Sequence, residues 1–279
     1  MQAIHVISTA PFFAKNPKNR YSLDKFELYS AVLSALKWRS FGDNITLITD
    51  TRGAEYVKSL ELSSVWNDIR VLIPDDLEGI NPKMFWAAGK LFALRETPAP
   101  VSMIDTDFIL WDRPDLPENR IVAAHRENIT PSVYPDFNYF KFKRSFSMDG
   151  MNENVLPMNT AFLYLPNEDF KQYYVNRSIA FMKSALDCED FLCYMVFAEQ
   201  RLLAVCAEEF KIGSQVLMNK NELFFPQKKY SHLWGAKQIM RNDPQAMHDF
   251  CGRARERIKK EFSDYEFLIG RIEEDFFNR

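Results

Sequence analysis

Four times in the first half of the chain, a short apolar run rich in β-branched residues ends at a polar residue or a proline. The runs are residues 3–9, 45–49, 70–73 and 101–104. The stretches that follow carry apolar residues at helical spacing, most clearly over 22–41, where Ser22 or Asp24 is placed to cap a helix. This repeated β-then-α order predicts a mostly parallel central sheet flanked by helices, since parallel strands are joined by helical crossovers.

The second half of the chain is less regular. We predict strands over 108–111, 121–124 and 158–165, and helices over 168–186, 189–210 and 244–277. Residues 126–157 are polar, aromatic and irregular, which indicates a long loop. That loop is either a lid or acceptor platform over a site, or a loop fixed to the core by its aromatic rings.

The chain shows no linker-like boundary and no internal repeat, so we expect residues 1–279 to form a single domain with an irregular insertion. We divide this domain into a nucleotide-binding β/α half, an acceptor and catalytic half, and C-terminal helices. These three parts are residues 1–112, 113–243 and 244–279.

Composition argues against several classes of function. The chain has 35 Lys and Arg against 38 Asp and Glu, a net charge of −3, whereas a nucleic-acid binder normally carries a basic excess. It has only 9 glycines and neither a Gly-x-Gly-x-x-Gly motif nor a complete P-loop, which disfavours dehydrogenases and kinases. The first residues do not resemble a signal peptide, and no apolar run approaches ~20 residues, so we expect a cytoplasmic protein without a transmembrane segment.

Two carboxylates directly follow the fourth apolar run, in Val101-Ser-Met-Ile-Asp105-Thr-Asp107. In open α/β sheets ligands bind at the carboxyl ends of strands, so Asp105 and Asp107 lie where a site is expected. Neighbouring carboxylates repel each other, and a divalent cation such as Mg²⁺ or Mn²⁺ relieves that repulsion. The alternative is a solvated turn at the end of a strand, where Asp and Thr are common.

A second motif, Ser231-His232-Leu-Trp-Gly235-Ala-Lys237, places an imidazole, a glycine and a lysine within six residues of one another. Imidazole binds borderline cations such as Mn²⁺, glycine lets the backbone approach a phosphate, and lysine offsets the phosphate charge. The alternative is a half-buried histidine packed beside Trp234.

Together, the strand-Asp-x-Asp element and the late His-x-x-Gly motif resemble the nucleotide-sugar glycosyltransferases of the GT-A fold, and most of all family 8, the glycogenin and bacterial galactosyltransferase type. The resemblance implies that Asp105, Asp107 and His232 bind Mn²⁺ (or Mg²⁺), which holds the diphosphate of a nucleoside-diphosphate sugar, a UDP-sugar above all. It also implies that Gly235 and Lys237 contact the phosphates. Here the lysine follows the glycine by two residues rather than three, which marks a divergent branch.

The same resemblance implies further donor and sugar contacts. The residues that it implies for donor binding are Ser8, Thr9, Asp50, Lys83, Asn159 and Thr160. Glu199 and Gln200 resemble an acidic-Gln pair near the reacting carbon, where a carboxylate or amide oxygen stabilises the positive charge on the sugar. The alternative for this pair is the solvent-exposed face of a helix.

The implied activity is transfer of a hexose, with retention at the sugar carbon, to a glycan or lipid-linked glycan acceptor. One alternative is a phosphohydrolase of the haloacid-dehalogenase type, which also places Asp-x-Asp after a strand but normally after the first one. A second alternative is a protein that binds nucleotide-sugars without turnover, because Ala161 stands where the family's sugar-site strand has glycine. The sequence leaves the oligomeric state open.

Overall fold

The computed structural model describes residues 1–188, 191–219, 221–222 and 228–277. Within these ranges the strands are β1 Gln2–Ile7, β2 Asn44–Thr49, β3 Asp68–Val71, β4 Val101–Ile104, β5 Phe108–Leu110, β6 Arg120–Ala123, β7 Phe162–Leu165, β8 Gly213–Val216 and β9 Tyr230–His232. The α-helices are α1 Ala10–Lys15, α2 Lys25–Ser40, α3 Thr51–Ser59, α4 Ala88–Glu96, α5 Glu168–Ser184, α6 Leu192–Val196, α7 Leu202–Glu209, α8 Ala236–Asn242, α9 Pro244–Glu261 and α10 Phe267–Phe277. A π-helical turn, Phe197–Arg201, joins α6 to α7.

Seven of these strands form the central sheet, in the order β3-β2-β1-β4-β7-β6-β8. The first four are parallel to one another, β7 is antiparallel to both of its neighbours, and β8 is parallel to β6. The predicted fold class, a mostly parallel sheet flanked by helices, is confirmed. Strands β5 and β9 form a separate two-stranded sheet.

Hydrophobic cores cover the two faces of the central sheet. Alternate residues of β1 belong to different cores, Ile4 to one and Ala3 and Ile7 to the other, because side chains along a strand point alternately to opposite faces. The core around Ile4 packs against α4 to α7, and the other packs against α2, α9 and α10. Among the described residues, no helix combines the length and the apolar character needed to cross a membrane.

Helix starts follow the local sequence. The Asp24 carboxylate and the Glu27 side chain form a capping box, so α2 begins at Lys25 and Asp24, rather than Ser22, is its cap. Asp50 caps α3 by accepting a hydrogen bond from the Gly53 N–H. Helix α1, which the sequence analysis did not predict, starts directly after Thr9 with a proline in its first turn.

The long loop over residues 126–157 is fixed to the core. Tyr134, Phe137 and Phe140 are each at most 8% exposed. The buried guanidinium of Arg201 donates hydrogen bonds to three carbonyl oxygens of this loop, those of Tyr134, Pro135 and Glu153. Of the two interpretations left open by the sequence, the structure supports the loop packed on the core.

Several predicted elements have different bounds. The predicted helix 244–277 is two helices, α9 and α10, separated by residues 262–266. The predicted strand 158–165 is a strand only over β7, because the Asn159 side chain accepts a hydrogen bond from the Ala161 N–H and bends the chain there. The predicted helix 189–210 begins outside the described residues, and its described part runs from Leu192 to Glu209 through the π-helical turn.

Candidate metal and donor site

A cleft of about 430 Å³ opens at the carboxyl edge of the parallel strands. It lies between the ends of β1 and β4, the start of α4, the segment before β7, the π-helical turn and the β9–α8 connection. The predicted site residues that line the cleft are Ser8, Asp105, Asp107, Asn159, Thr160, Glu199, Gln200, His232 and Lys237.

Asp105 and Asp107 enter the cleft on a tight turn after β4. The Asp105 N–H donates to the Ala161 carbonyl at 2.8 Å, so Asp105 extends the pairing of β4 with β7 by one residue. The Phe108 N–H then donates to the Asp105 carbonyl at 2.9 Å and closes the turn. Because β7 is antiparallel to β4, the residues that precede β7 lie beside this turn.

The two-stranded sheet brings His232 to the same place. Phe108 pairs with His232, and the Leu233 N–H donates to the Asp107 carbonyl at 3.1 Å. One potential ligand atom from each of Asp105, Asp107 and His232 lies within 4.8 Å of the other two. His232 Nε2 is 4.0 Å from Asp107 Oδ2. The structure therefore confirms that the two acids and the late imidazole converge.

Two lysines compensate the carboxylates. Lys237 Nζ lies 2.8 Å from Asp107 Oδ2, so the shifted lysine still reaches the cleft from the first turn of α8. Lys90, which the sequence analysis did not assign to the site, lies on α4 and bridges Asp105 Oδ1 and Glu199 Oε1 at 2.7 Å each. The carboxylates Asp105 and Glu199 are thus held by one ammonium group.

A sequence signal for Lys90 exists in the residue before it. A Cβ on Gly89 would lie 2.7 Å from the Ser8 Cβ, so only glycine lets α4 pack this closely on the end of β1. This close packing directs Lys90 into the cleft. The glycine directly before Lys90 therefore has a packing reason.

The charges in the cleft are unevenly balanced. Burial raises the pKa of Asp105 to about 6, opposed by Lys90 and reinforced by Asp107 and Glu199. Burial would also raise the pKa of Asp107, but Lys237 and His232 outweigh it and hold that pKa below its usual value. Burial alone would lower the pKa of Lys90, yet Asp105 and Glu199 raise it above its ordinary value.

His232 has the protonation state that a metal ligand needs. Burial lowers the pKa of His232 to about 4, with Asp107 opposing, so the imidazole is neutral at neutral pH. Its Nδ1 is buried without a hydrogen-bond partner among the described residues. A neutral imidazole with two carboxylates is a donor set that suits Mn²⁺, and each carboxylate pairs with lysine through one oxygen only. These residues fit a divalent cation.

Glu199 and Gln200 lie on the π-helical turn, a local irregularity frequent at functional sites. Glu199 Oε1 accepts from the Thr160 hydroxyl at 2.5 Å as well as from Lys90. Gln200 Oε1 accepts from the Tyr134 hydroxyl at 2.6 Å. The interpretation of this pair as a solvent-exposed helix face is wrong for Glu199, whose side chain is 7% exposed.

Thr9 and Asp50, by contrast, do not line the cleft, although the resemblance implied that they hold the nucleoside. The Asp50 carboxylate accepts from the Thr9 N–H at 2.5 Å and from the Thr9 hydroxyl at 3.0 Å. It also caps α3, so its oxygens tie the end of β1 to the start of that helix. Both residues are at most 2% exposed, and their predicted contact with the nucleoside stays a prediction.

Lys83 and Gly235 also lie outside the set of cleft-lining residues. Lys83 is exposed, and its backbone N–H donates to the Asn81 side chain. Lys90, rather than Lys83, is among the residues that line the cleft, and a contact of Lys83 with the donor stays a prediction. Gly235 is exposed at the start of α8 with φ −79°, a conformation open to any residue, and a Cβ there would meet no atom within 4 Å. Its predicted contact with phosphate stays a prediction.

The fold and the site together define a mostly parallel α/β protein with a candidate metal centre at the carboxyl edge of its sheet. The chain belongs to a family of unknown function, DUF6734, whose model matches residues 13–266. No curated protein sequence matches it significantly.

Matching solved structures include one described as PaToxG Glycosyltransferase, at a TM-score of 0.43 and 9% identity, over 97% of this chain and 84% of that chain. Because this likeness is distant, we argue the function from the site residues alone. The resemblance to glycosyltransferase family 8 stays a prediction.

Proposed function

We propose that this protein is a metal-dependent glycosyltransferase that moves a hexose, with retention, from a UDP-sugar to a glycan or lipid-linked glycan acceptor. One observation carries the proposal: ligand atoms of Asp105, Asp107 and His232 lie within 4.8 Å of one another in a cleft at the carboxyl edge of the sheet. This is the edge where α/β proteins bind their ligands. In this proposal residues 1–112 hold the nucleotide and 113–243 supply sugar and acceptor contacts, while helices α9 and α10 of the C-terminal part 244–279 pack on the core.

The net charge of the cleft favours joint binding of a divalent cation and a diphosphate. Among the lining residues, the carboxylates of Asp105, Asp107 and Glu199 outnumber the ammonium groups of Lys90 and Lys237 by one. The cleft alone therefore carries a formal charge of about −1 and would repel a diphosphate. A divalent cation changes the sign of that charge, so the donor and the cation bind more tightly together than either does alone.

In the proposed reaction, the bond between the sugar carbon and the diphosphate breaks, the acceptor hydroxyl oxygen forms the new bond to that carbon, and the hydroxyl proton passes to the departing diphosphate. A bound Mn²⁺ or Mg²⁺ supplies Lewis-acid stabilisation of the departing diphosphate. Lys237 donates hydrogen bonds to the same phosphate oxygens, and their strength grows as negative charge develops there. Lys90, held between Asp105 and Glu199, faces the sugar side and fixes the Glu199 carboxylate beside the reacting carbon.

The remaining residues hold the donor. Ser8, at the end of β1, faces the nucleoside, and Asn159 and Thr160 contact the sugar from the segment before β7. Gly235, at the open start of α8, leaves its backbone free for phosphate. Thr9 and Asp50 support this arrangement by fixing the end of β1, and we leave Lys83 out of the contact set because its side chain is exposed.

The proposal is tested by titrating the protein with UDP and a panel of UDP-hexoses in the presence and absence of Mn²⁺, followed by thermal shift and calorimetry. Specific binding raises the melting temperature, and we expect a shift only with cation and nucleotide together. Absence of any cation-dependent nucleotide binding would refute the proposal. Hydrolysis of a generic phosphoester without sugar transfer would instead favour the phosphohydrolase, and donor binding without transfer or hydrolysis would favour a binding protein.

A further inference from the structure

The orientation of the Gln200 amide changes what this side chain offers to a ligand. The sequence analysis gave Glu199 and Gln200 one role, an oxygen atom beside the reacting carbon. In the structure, however, Gln200 Oε1 accepts a hydrogen bond from the Tyr134 hydroxyl at 2.6 Å. The Tyr134 side chain is buried, whereas Gln200 is half-buried and lines the cleft. The amide oxygen is therefore turned towards the protein interior.

Tyr134 is itself held rigidly in this position. Its N–H donates to the Thr130 carbonyl at 2.7 Å, and its carbonyl accepts from the Arg201 guanidinium at 3.3 Å. Arg201 follows Gln200 on the π-helical turn. Tyr134 therefore contacts two consecutive residues of that turn, Gln200 through its hydroxyl and Arg201 through its carbonyl. Burial and the carboxylates of Glu127 and Glu199 raise the pKa of Tyr134, so the hydroxyl stays protonated and donates a hydrogen bond.

We propose that Tyr134 is a positioning residue that holds the Gln200 amide with its N–H₂ group towards the cleft, so that Gln200 donates a hydrogen bond to an oxygen of the bound sugar. Gln200 then does not stabilise the sugar carbon through its own oxygen. Glu199 offers an acceptor and Gln200 a donor side by side, a pattern that matches two neighbouring hydroxyl groups of a hexose. This inference rests on the proposed function and names the part of the donor that the pair recognises.

The experiment compares binding of UDP with binding of the UDP-hexose that the wild type binds best, by calorimetry with Mn²⁺. Gln200→Ala and Tyr134→Phe should each weaken UDP-hexose binding about tenfold, the usual cost of one hydrogen bond to a buried polar group, and leave UDP binding unchanged. In the Gln200→Ala background, Tyr134→Phe should have no further effect.

A third variant separates donor from acceptor chemistry. Gln200→Glu keeps an oxygen for the Tyr134 hydroxyl but replaces the N–H₂ group by a second oxygen, so we expect it to lose as much UDP-hexose affinity as Gln200→Ala. Tyr194→Phe is the matched control, because the Tyr194 hydroxyl accepts a hydrogen bond from the same loop, at the Lys141 N–H, away from Gln200. It should bind both ligands as the wild type does.

Three outcomes would overturn the inference: wild-type affinity of Gln200→Glu for the UDP-hexose, equal loss of UDP and UDP-hexose binding in Tyr134→Phe, or additive effects in the double variant. The Gln200→Glu result stands even where Tyr134→Phe unfolds the loop. If the wild type bound no UDP-hexose at all, the proposed function would fail. That result differs from the three outcomes above, in which the wild type binds the UDP-hexose and only the inference about Tyr134 and Gln200 fails.

Discussion

Phe108 lies opposite His232 in the antiparallel pair of β5 and β9, and this pairing assembles the candidate metal centre. Asp107 immediately precedes Phe108, and its carbonyl accepts from the Leu233 N–H at 3.1 Å, so the backbone pairing of the two strands holds Asp107 close to His232. The Ser34 hydroxyl also donates to the Phe108 carbonyl at 2.6 Å and ties this pair of strands to α2. The ligands are therefore held in place by main chain rather than by flexible loops.

Asp107→Ala should abolish Mn²⁺-dependent nucleotide binding and leave the fold intact, because it removes a ligand and a charge at the edge of the cleft while the backbone pairing remains. Calorimetry with UDP and Mn²⁺ measures the loss, and circular dichroism checks the fold. Asp115→Ala, at an exposed aspartate on the following segment, is the control and should bind normally. Unchanged affinity in Asp107→Ala would remove the metal site.

His232→Ala should weaken Mn²⁺-dependent nucleotide binding more than Lys237→Ala does. The imidazole offers a lone pair to the cation, whereas Lys237 pairs with Asp107 and, in the proposed complex, with phosphate. Loss of a direct ligand should cost at least as much as loss of an outer-shell partner, so we expect at least a tenfold rise in the Mn²⁺ concentration needed for half-maximal binding. His248→Ala, at an exposed histidine of α9, should have no effect. If Lys237→Ala proves the more metal-sensitive, the assignment of the late motif fails.

Lys90→Met should lower donor hydrolysis or transfer about a hundredfold, the scale of losing one electrostatic group at a reacting centre. The variant leaves the carboxylates of Asp105 and Glu199 without their shared ammonium group, so it should also raise the pKa of Asp105 further. Lys83→Met is the matched control, since Lys83 is exposed beyond the cleft. Steady-state rates of the two variants are the measurement. A lower rate in Lys83→Met and a normal rate in Lys90→Met would favour Lys83 as the donor-binding lysine, as the family resemblance implies.

Much of the β/α half could be predicted because the residues that start or end each helix and strand lie next to it in the sequence. The strand 101–104 ends where its apolar run ends, and Asp24 caps α2 where the capping box predicts. Asp50 shows the limit of such reasoning. An aspartate between a strand and a helix is equally suited to bind a ligand or to cap the helix, and only the contacts with Thr9 and Gly53 decide for the cap.

The rest of the site depends on contacts between distant parts of the chain. The pairing of Phe108 with His232 joins two short strands that no local pattern relates to each other. The sequence did not predict this pairing, and only a family resemblance implied that His232 shares a metal ion with Asp105 and Asp107. Lys90 reaches Asp105 because Gly89 lets α4 pack on Ser8, a three-dimensional constraint. The sequence therefore predicted Lys237 in the candidate site, whereas Lys90 enters it through packing that the sequence does not record locally.

Arg201→Met should destabilise the protein by about 3 kcal/mol, because it leaves loop carbonyls without their buried donor. Arg201 is 1% exposed and also lies over the Phe137 ring at 4.8 Å. Denaturation with guanidinium measures the free energy of unfolding, and limited proteolysis should cut within residues 126–157 faster in the variant. Arg144→Met, at an exposed arginine of the same loop, is the control and should change neither quantity. Equal stability of the two variants would show that the loop does not depend on Arg201.

His5 should make the protein less stable as the pH falls. Its Nδ1 accepts from the Trp66 indole at 3.1 Å and its Nε2 lies 3.0 Å from the Ser34 hydroxyl, so a second proton on the ring would point at the indole N–H. Burial lowers the pKa of His5 from 6.5 to about 3, opposed by Asp107.

The unfolded chain therefore binds a proton that the folded chain does not, between those two pKa values. The contribution to stability is fully present above the unfolded pKa and falls by ~1.4 kcal/mol for each pH unit below it. From about pH 7.5 to about pH 5, the wild type should lose about 2 kcal/mol more than His5→Gln, measured by urea unfolding at both values. His248→Gln, exposed on α9, should keep the wild-type dependence. An identical loss in the wild type and in His5→Gln would mean that His5 does not titrate on unfolding.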